Sequence, residues 1–234
     1  MIAIILFMAV LAVVVGWWMT RQRLTSKPWL EVGDAGALPQ PQGSPEAAAR
    51  IGLCIFLAVI GALFSLLISA YLTRMAMADW WSIPIPPLLW VNTAALAAAS
   101  LSLQWAKVEG RRGKAEAVRA GLAAAGVLGL LFVCGQLLAW RQLVAAGYVL
   151  ADNPSNSFFY MITGLHGLHI LGGLLGLGRT MLRARKAAAG RSLALSIDLC
   201  ATYWHFMLLV WLILFALFAG WANGFADLCR ALVS

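Results

Sequence analysis

Acidic side chains are scarce in this chain: nine Asp and Glu residues in 234, within a total of only 11% charged residues. A soluble domain carries roughly 25%, so there is too little charge to coat a water-exposed globule. Histidine is scarcer still, with three copies, and cysteine occurs four times, as Cys54, Cys134, Cys200 and Cys229. No CxxC pair is present and three of the cysteines sit inside apolar runs, which excludes a disulfide frame and a cysteine zinc site. There is no HExxH, no phosphate-binding loop and no dinucleotide fingerprint. No carboxylate lies mid-way along any long apolar run, so a proton or cation pump with its own relay lacks the groups it needs.

Apolar residues are abundant, at 62%. Crossing the hydrocarbon core takes about 20 of them in a row, and six stretches qualify: about 2–19, 51–73, 84–106, 119–147, 157–182 and 195–224. The expected fold is all-α, a polytopic membrane helical bundle of about six transmembrane helices. It divides into an N-terminal transmembrane helix (1–20), a cytoplasmic linker rich in proline (21–49) and a helical membrane domain (50–234). The N-terminal stretch has no basic flank before it and has Arg21 and Arg23 after it, the reverse of a cleaved signal peptide. Ser44-Pro45-Glu46 and Asn153-Pro154-Ser155-Asn156 read as helix starts.

The net charge of +8 does not imply nucleic acid, because the basic residues cluster between apolar runs. The first inter-helix stretch has Arg21, Arg23, Lys27 and Arg50. The third has Lys107, Arg111, Arg112, Lys114 and Arg119, and the fifth Arg179, Arg183, Arg185, Lys186 and Arg191. The other side keeps only Arg74, Arg141 and Arg230. This alternation puts the odd loops in the cytoplasm and both termini outside. Trp17-Trp18, Trp80-Trp81, Trp105, Trp140 and Trp221 fall near span ends, as an interfacial aromatic belt does.

The three histidines lie deep in apolar runs, where a titratable ring is a functional-site candidate by default. His166 and His169 are three residues apart, with Gly173 and Gly176 seven beyond each, so these four share a helix face. Gly172 and Gly176 form a GxxxG pair suited to close helix packing. Asp198, Thr202 and His205 follow at i, i+4 and i+7. The readings open at this point are structural hydrogen bonding between helices, contact with lipid or a partner, and a haem b held between His205 and His166 or His169. A metal site is disfavoured because HxxH has no acidic companion and no second shell.

The segments Ser157-Phe158-Phe159 with Thr163-Gly164-Leu165-His166-Gly167-Leu168-His169, and Asp198 before Tyr203-Trp204-His205-Phe206 with Trp211 after, resemble subunit III of the haem–copper respiratory oxidases. Asn92-Thr93 after a proline-rich turn, Gln136 with Trp140, and Arg50-Ile51-Gly52 with Phe56, Phe64 and Tyr71 extend the resemblance from about Arg50 to Phe225. It implies a non-catalytic subunit of a bacterial inner-membrane terminal oxidase of the cytochrome c oxidase type. No catalytic residue, metal or other cofactor is expected in this chain. Haem and copper would belong to partner subunits I and II, and phospholipid would be bound in an inter-helix cleft. His166, His169, Asp198, Trp204 and His205 are the expected lipid or partner contacts, and Gly172, Gly173 and Gly176 the expected packing positions. The chain departs from the family where Ile60, Ala139 and Leu208 replace typical carboxylates. The competing readings are an accessory protein of nitric oxide reduction or oxidase assembly, and a small two-histidine haem b protein.

Overall fold

The computed structural model describes residues 45–75, 77–186 and 191–220. The expected first span, most of the linker and the end of the last span lie outside the described residues. Those that are described belong to one compact unit covering 44–234.

Five helices follow one another: α1 (Pro45–Met75), α2 (Leu88–Arg111), α3 (Ala115–Ala145), α4 (Pro154–Lys186) and α5 (Arg191–Phe218). Among the described residues there is no strand. Helices are the form in which each apolar segment satisfies its backbone polar groups without water. Both expected starts are found. Pro45 opens α1 with Glu46 in the first turn, where a missing N–H is harmless and an acid favours the helix dipole. Pro154 opens α4, and Asn153 caps it: its Oδ1 accepts from the Ser155 N–H at 2.9 Å. The α2–α3 turn passes through Gly113 at φ 75°, and the chain leaves α3 through Gly147 at φ 92°, both in the left-handed region that favours glycine.

Four helices, α1, α3, α4 and α5, are long and apolar enough to cross a membrane. The shorter α2, 24 residues and thus about 36 Å long, lacks a sufficiently apolar window. Its sequence interleaves alanines with Asn92, Thr93, Ser100, Ser102, Gln104, Lys107 and Glu109, and several of these face neighbouring helices. The burial pattern is that of a lipid-embedded bundle. Leu66, Leu175 and Val59 are 70%, 71% and 62% exposed, whereas in water such apolar patches would drive association.

Helices α2 to α5 form a closed ring in which each packs on its two neighbours, and α1 rests on α4 and α5. Small residues on α3 set the spacing. A methyl group placed on Gly121 would fall 2.8 Å from the Ala106 Cβ of α2, and the Asn92 side chain fills the space beside Gly135. Helix α1 joins through one stripe, Leu57, Ile60, Phe64 and Tyr71, all buried at helical spacing.

The ends of the helices have opposite character. Arg50, Lys107, Arg111, Ala115, Ala184 and Asp198 line a common cleft, so the N-termini of α1, α3 and α5 and the C-termini of α2 and α4 meet at one basic end. At the other end Asn153 Nδ2 donates to the Trp81 carbonyl at 3.0 Å, tying two loops together. Arg74 holds Asp79 there with both guanidinium nitrogens, and this pairing keeps the Asp79 carboxyl below its usual range.

Candidate functional site

The histidines divide between two environments. His166, on α4, has no exposed surface. Its ring is bounded by Phe64 of α1, Phe132 of α3 and Trp211 of α5, with centroids 6.2, 5.6 and 5.0 Å away. Its Nε2 lies 3.1 Å from the Met207 carbonyl. A carbonyl can only accept, so Nε2 carries the hydrogen, and the bond joins α4 to α5. The Nδ1 atom has no partner among the described residues.

His169, one turn further, donates from Nδ1 back to the Leu165 carbonyl at 2.8 Å. The Tyr203 hydroxyl donates to the His169 backbone carbonyl at 2.7 Å, a second polar link from α5 to α4. Phe64 packs against both imidazoles.

Trp204 also has no exposed surface; its indole fills the notch at Gly129, and the Tyr203 ring fills the one at Gly173. A methyl on Gly129 would fall 2.5 Å from the Trp204 ring, and one on Gly173 2.7 Å from the Tyr203 ring. Gly172 and Gly176 are open, with nothing within 4 Å of where a methyl would sit. The close approach on α4 is therefore made at Gly173, and in the described residues no neighbouring helix uses the GxxxG pair.

His205 faces elsewhere. It is exposed at the surface of α5 and reaches across to α2. Its Nε2 lies 3.2 Å from Gln104 Oε1 and its Nδ1 meets the Ser100 hydroxyl. With the hydrogen on Nε2 for Gln104, Nδ1 accepts from Ser100. This polar contact belongs to a ladder along the α2–α5 seam. At the basic end Asp198 pairs with Lys107 of α2 and, at 2.6 Å, with Arg50 of α1. Farther along, Trp211 Nε1 donates to Thr93 Oγ1 at 2.9 Å.

The α2 half of this ladder was not among the sequence candidates. Thr93, Ser100, Gln104 and Lys107 are spaced seven, four and three apart, one face of a helix, so the signal was present but was masked by the surrounding alanines. Glu109, buried one turn from the end of α2, is held by Lys114 at 3.1 Å and Arg112 at 2.6 Å. Lys114 first, then Arg112, keeps its carboxyl below the usual range.

The cleft at the basic end has a volume of about 640 Å³. Its charged lining is Glu46, Arg50, Lys107, Arg111 and Asp198, and its apolar walls include Val118, Leu193 and Ile197. Among the described residues no three His, Cys, Asp or Glu side chains are grouped to hold a metal ion. His166 and His205 engage different helices and share no partner. Ile60 is 2% exposed and Ala139 fully buried, and Leu208 packs against the core. All three positions are filled by packed apolar side chains.

An all-helical bundle with an apolar outer surface and side-chain hydrogen bonds between its helices is the architecture of an integral membrane protein. The chain belongs to the cytochrome c oxidase subunit III family, whose family model matches residues 50–223. It is 32% identical over 123 residues to a protein of Mycobacterium tuberculosis named "Probable cytochrome c oxidase subunit 3", a match covering 53% of this chain and 61% of that one. The chain thus spans about three fifths of that relative's length. Longer matches are to the Mycobacterium leprae protein of the same name, 29% identical over 173 residues (70% of this chain, 84% of the other). The cytochrome c oxidase subunit 3 of Thermostichus vulcanus is 28% identical over 175 residues (71% and 84%).

Proposed function

We propose that this chain is the non-catalytic subunit III of a respiratory haem–copper terminal oxidase in a bacterial plasma membrane, with both termini outside the cytoplasm. It flanks the catalytic subunit I and subunit II, which hold the haem and copper. The observation that carries this reading is the family match over 174 residues, from 50 to 223, in a bundle whose buried His166, Trp204 and Trp211 serve helix packing. Its contribution is to the stability of the catalytic subunit and to proton uptake near the basic end. Ile60, Ala139 and Leu208 carry no proton in that role, because none of them titrates.

Within this reading the cleft at the basic end is a phospholipid site. Arg50, Lys107 and Arg111 offer donors to a phosphate, and Val118, Leu193 and Ile197 offer apolar contact to the chains below. Asp198 lines this cleft as a lipid or partner contact, His169 is a further such contact, and His166 and Trp204 hold the helices together.

The test is purification of the tagged chain from its native membrane in mild detergent. Haem absorption bands, copper, and oxygen consumption that travel with the tag are the expected result. A chain that emerges alone, or with partners lacking haem, contradicts the reading.

A further inference from the structure

The outward side of the α2–α5 seam is polar where it should be apolar. His205, Gln104 and Thr202 are exposed, yet they lie well inside the span. His205 is seven residues from Asp198 and Ser100 seven from Lys107, so at 1.5 Å per residue the His205–Ser100 pair sits about 10 Å deeper than the charged end. Lipid headgroups stay near the charges, and acyl chains offer no hydrogen bond at that depth. Exposed polar groups inside a span face a bundle interior, a water-filled cavity or a partner rather than bulk lipid.

The hydrogen-bond inventory shows what is left over. His205 Nε2–H is used on Gln104 Oε1, and His205 Nδ1 accepts from Ser100. The Thr202 hydroxyl donates to its own helix, to the Asp198 carbonyl at 2.9 Å. The Gln104 amide NH2 has no partner among the described residues. At the end of the same seam Arg50 and Lys107 share one carboxylate, leaving a surplus positive charge. At this depth the seam therefore leaves the Gln104 amide hydrogens as donors with no partner among the described residues. Leu101, three residues from Gln104, and Leu209, four from His205, are 69% and 54% exposed and flank the polar strip with apolar surface.

We propose that this seam is the face on which a transmembrane helix of the haem-bearing partner docks, and that the helix presents an acceptor, a carboxylate or a free carbonyl oxygen, opposite the Gln104 amide. The proposal rests on the oxidase reading above and adds the surface and its chemistry. Polar side chains joining helices within a bilayer are a general means of association, and the apolar flanks supply the packing.

The experiment places a photo-cross-linking amino acid, p-benzoylphenylalanine, at position 104 and, as a comparison, at Leu130, an α3 residue 53% exposed. The full complex is irradiated in its native membrane, purified by a tag on this chain and analysed by mass spectrometry and haem spectrum. The expected result is an adduct from position 104 to a transmembrane segment of the haem-bearing subunit and, from position 130, adducts to lipid only. Adducts from 104 to lipid only, to residues 1–20 of the same chain, or to a second copy overturn the docking face, as does the absence of any adduct. Haem that is still recovered in those cases leaves the oxidase reading standing; haem missing from the unmodified, unirradiated preparation removes both. As a second readout, Gln104→Leu with His205→Leu reduces haem retained per chain after detergent washing roughly fivefold, the scale of a few lost intramembrane hydrogen bonds. Leu130→Ala leaves retention unchanged, and equal loss from both variants contradicts the proposal.

Discussion

His166 and His205 are the same side chain at comparable depth in the same bundle, yet they do opposite things. His166 is enclosed by aromatic rings from three helices and spends Nε2–H on the Met207 carbonyl. His205 is exposed and spends both nitrogens on α2. An imidazole inside a membrane protein is thus no signature of chemistry by itself. Enclosed, it is a polar rivet between helices; exposed on a seam, it marks a surface that is unfinished until something covers it.

The largest effect that sharpens this contrast is expected at the enclosed site. Trp204→Ala empties the notch between Gly129 and Gly173, and truncating a buried tryptophan removes about 3–5 kcal/mol. Thermal melting of the purified chain in detergent should show it, and Gly129→Leu, which drives a side chain into the Trp204 ring, should destabilise comparably. Asp198→Asn comes next. It leaves Arg50 and Lys107 without their shared carboxylate and frees the start of α1 from α2 and α5. The cost is about 1 kcal/mol, between values for exposed and buried pairs, and easier proteolysis near Arg50 would report it. His205→Leu is smaller for the chain alone, below about 1 kcal/mol, because an exposed position accepts leucine in a bilayer.

The smallest effect is a pH dependence. Glu109 has its folded-state pKa depressed below the ordinary 4.5 by Lys114 and then Arg112. Its contribution to stability is complete above about pH 4.5 and is lost as pH falls through the lowered folded value. Melting temperature should therefore stay level from neutral pH to about 5 and drop below 4.5, and Glu109→Gln should flatten that acid limb. A decline already under way at pH 6 would contradict the assignment.

Much of this arrangement is legible in the sequence because it is local. The starts at Pro45 and Pro154 follow from residues within one turn, and the spans of α1, α3, α4 and α5 follow from the length of their apolar runs. Which small residue touches a neighbour is a different matter. Gly172 and Gly176 have the spacing of a packing motif, but it is Gly173 that receives Tyr203, and which of them does so depends on the rotation of α4 against α5. Likewise Asp198 announces a polar helix face, while its partners Arg50 and Lys107 come from two other helices and depend on how far each slides along α5. Inter-helix register is a tertiary quantity. The α2 ladder of Ser100, Gln104 and Lys107 shows the other side of this, a periodic signal overlooked because alanine gives it no contrast.

The central claim is that the two histidine environments divide structure from association, and one comparison tests it most directly. His166→Leu and His205→Leu variants of the tagged chain are purified side by side from native membranes, and each is measured for melting temperature and haem per chain. The account predicts that His166→Leu lowers both, whereas His205→Leu lowers haem per chain while its melting temperature stays near that of the unmodified protein. Equal melting temperatures with equal haem retention in the two variants would contradict it.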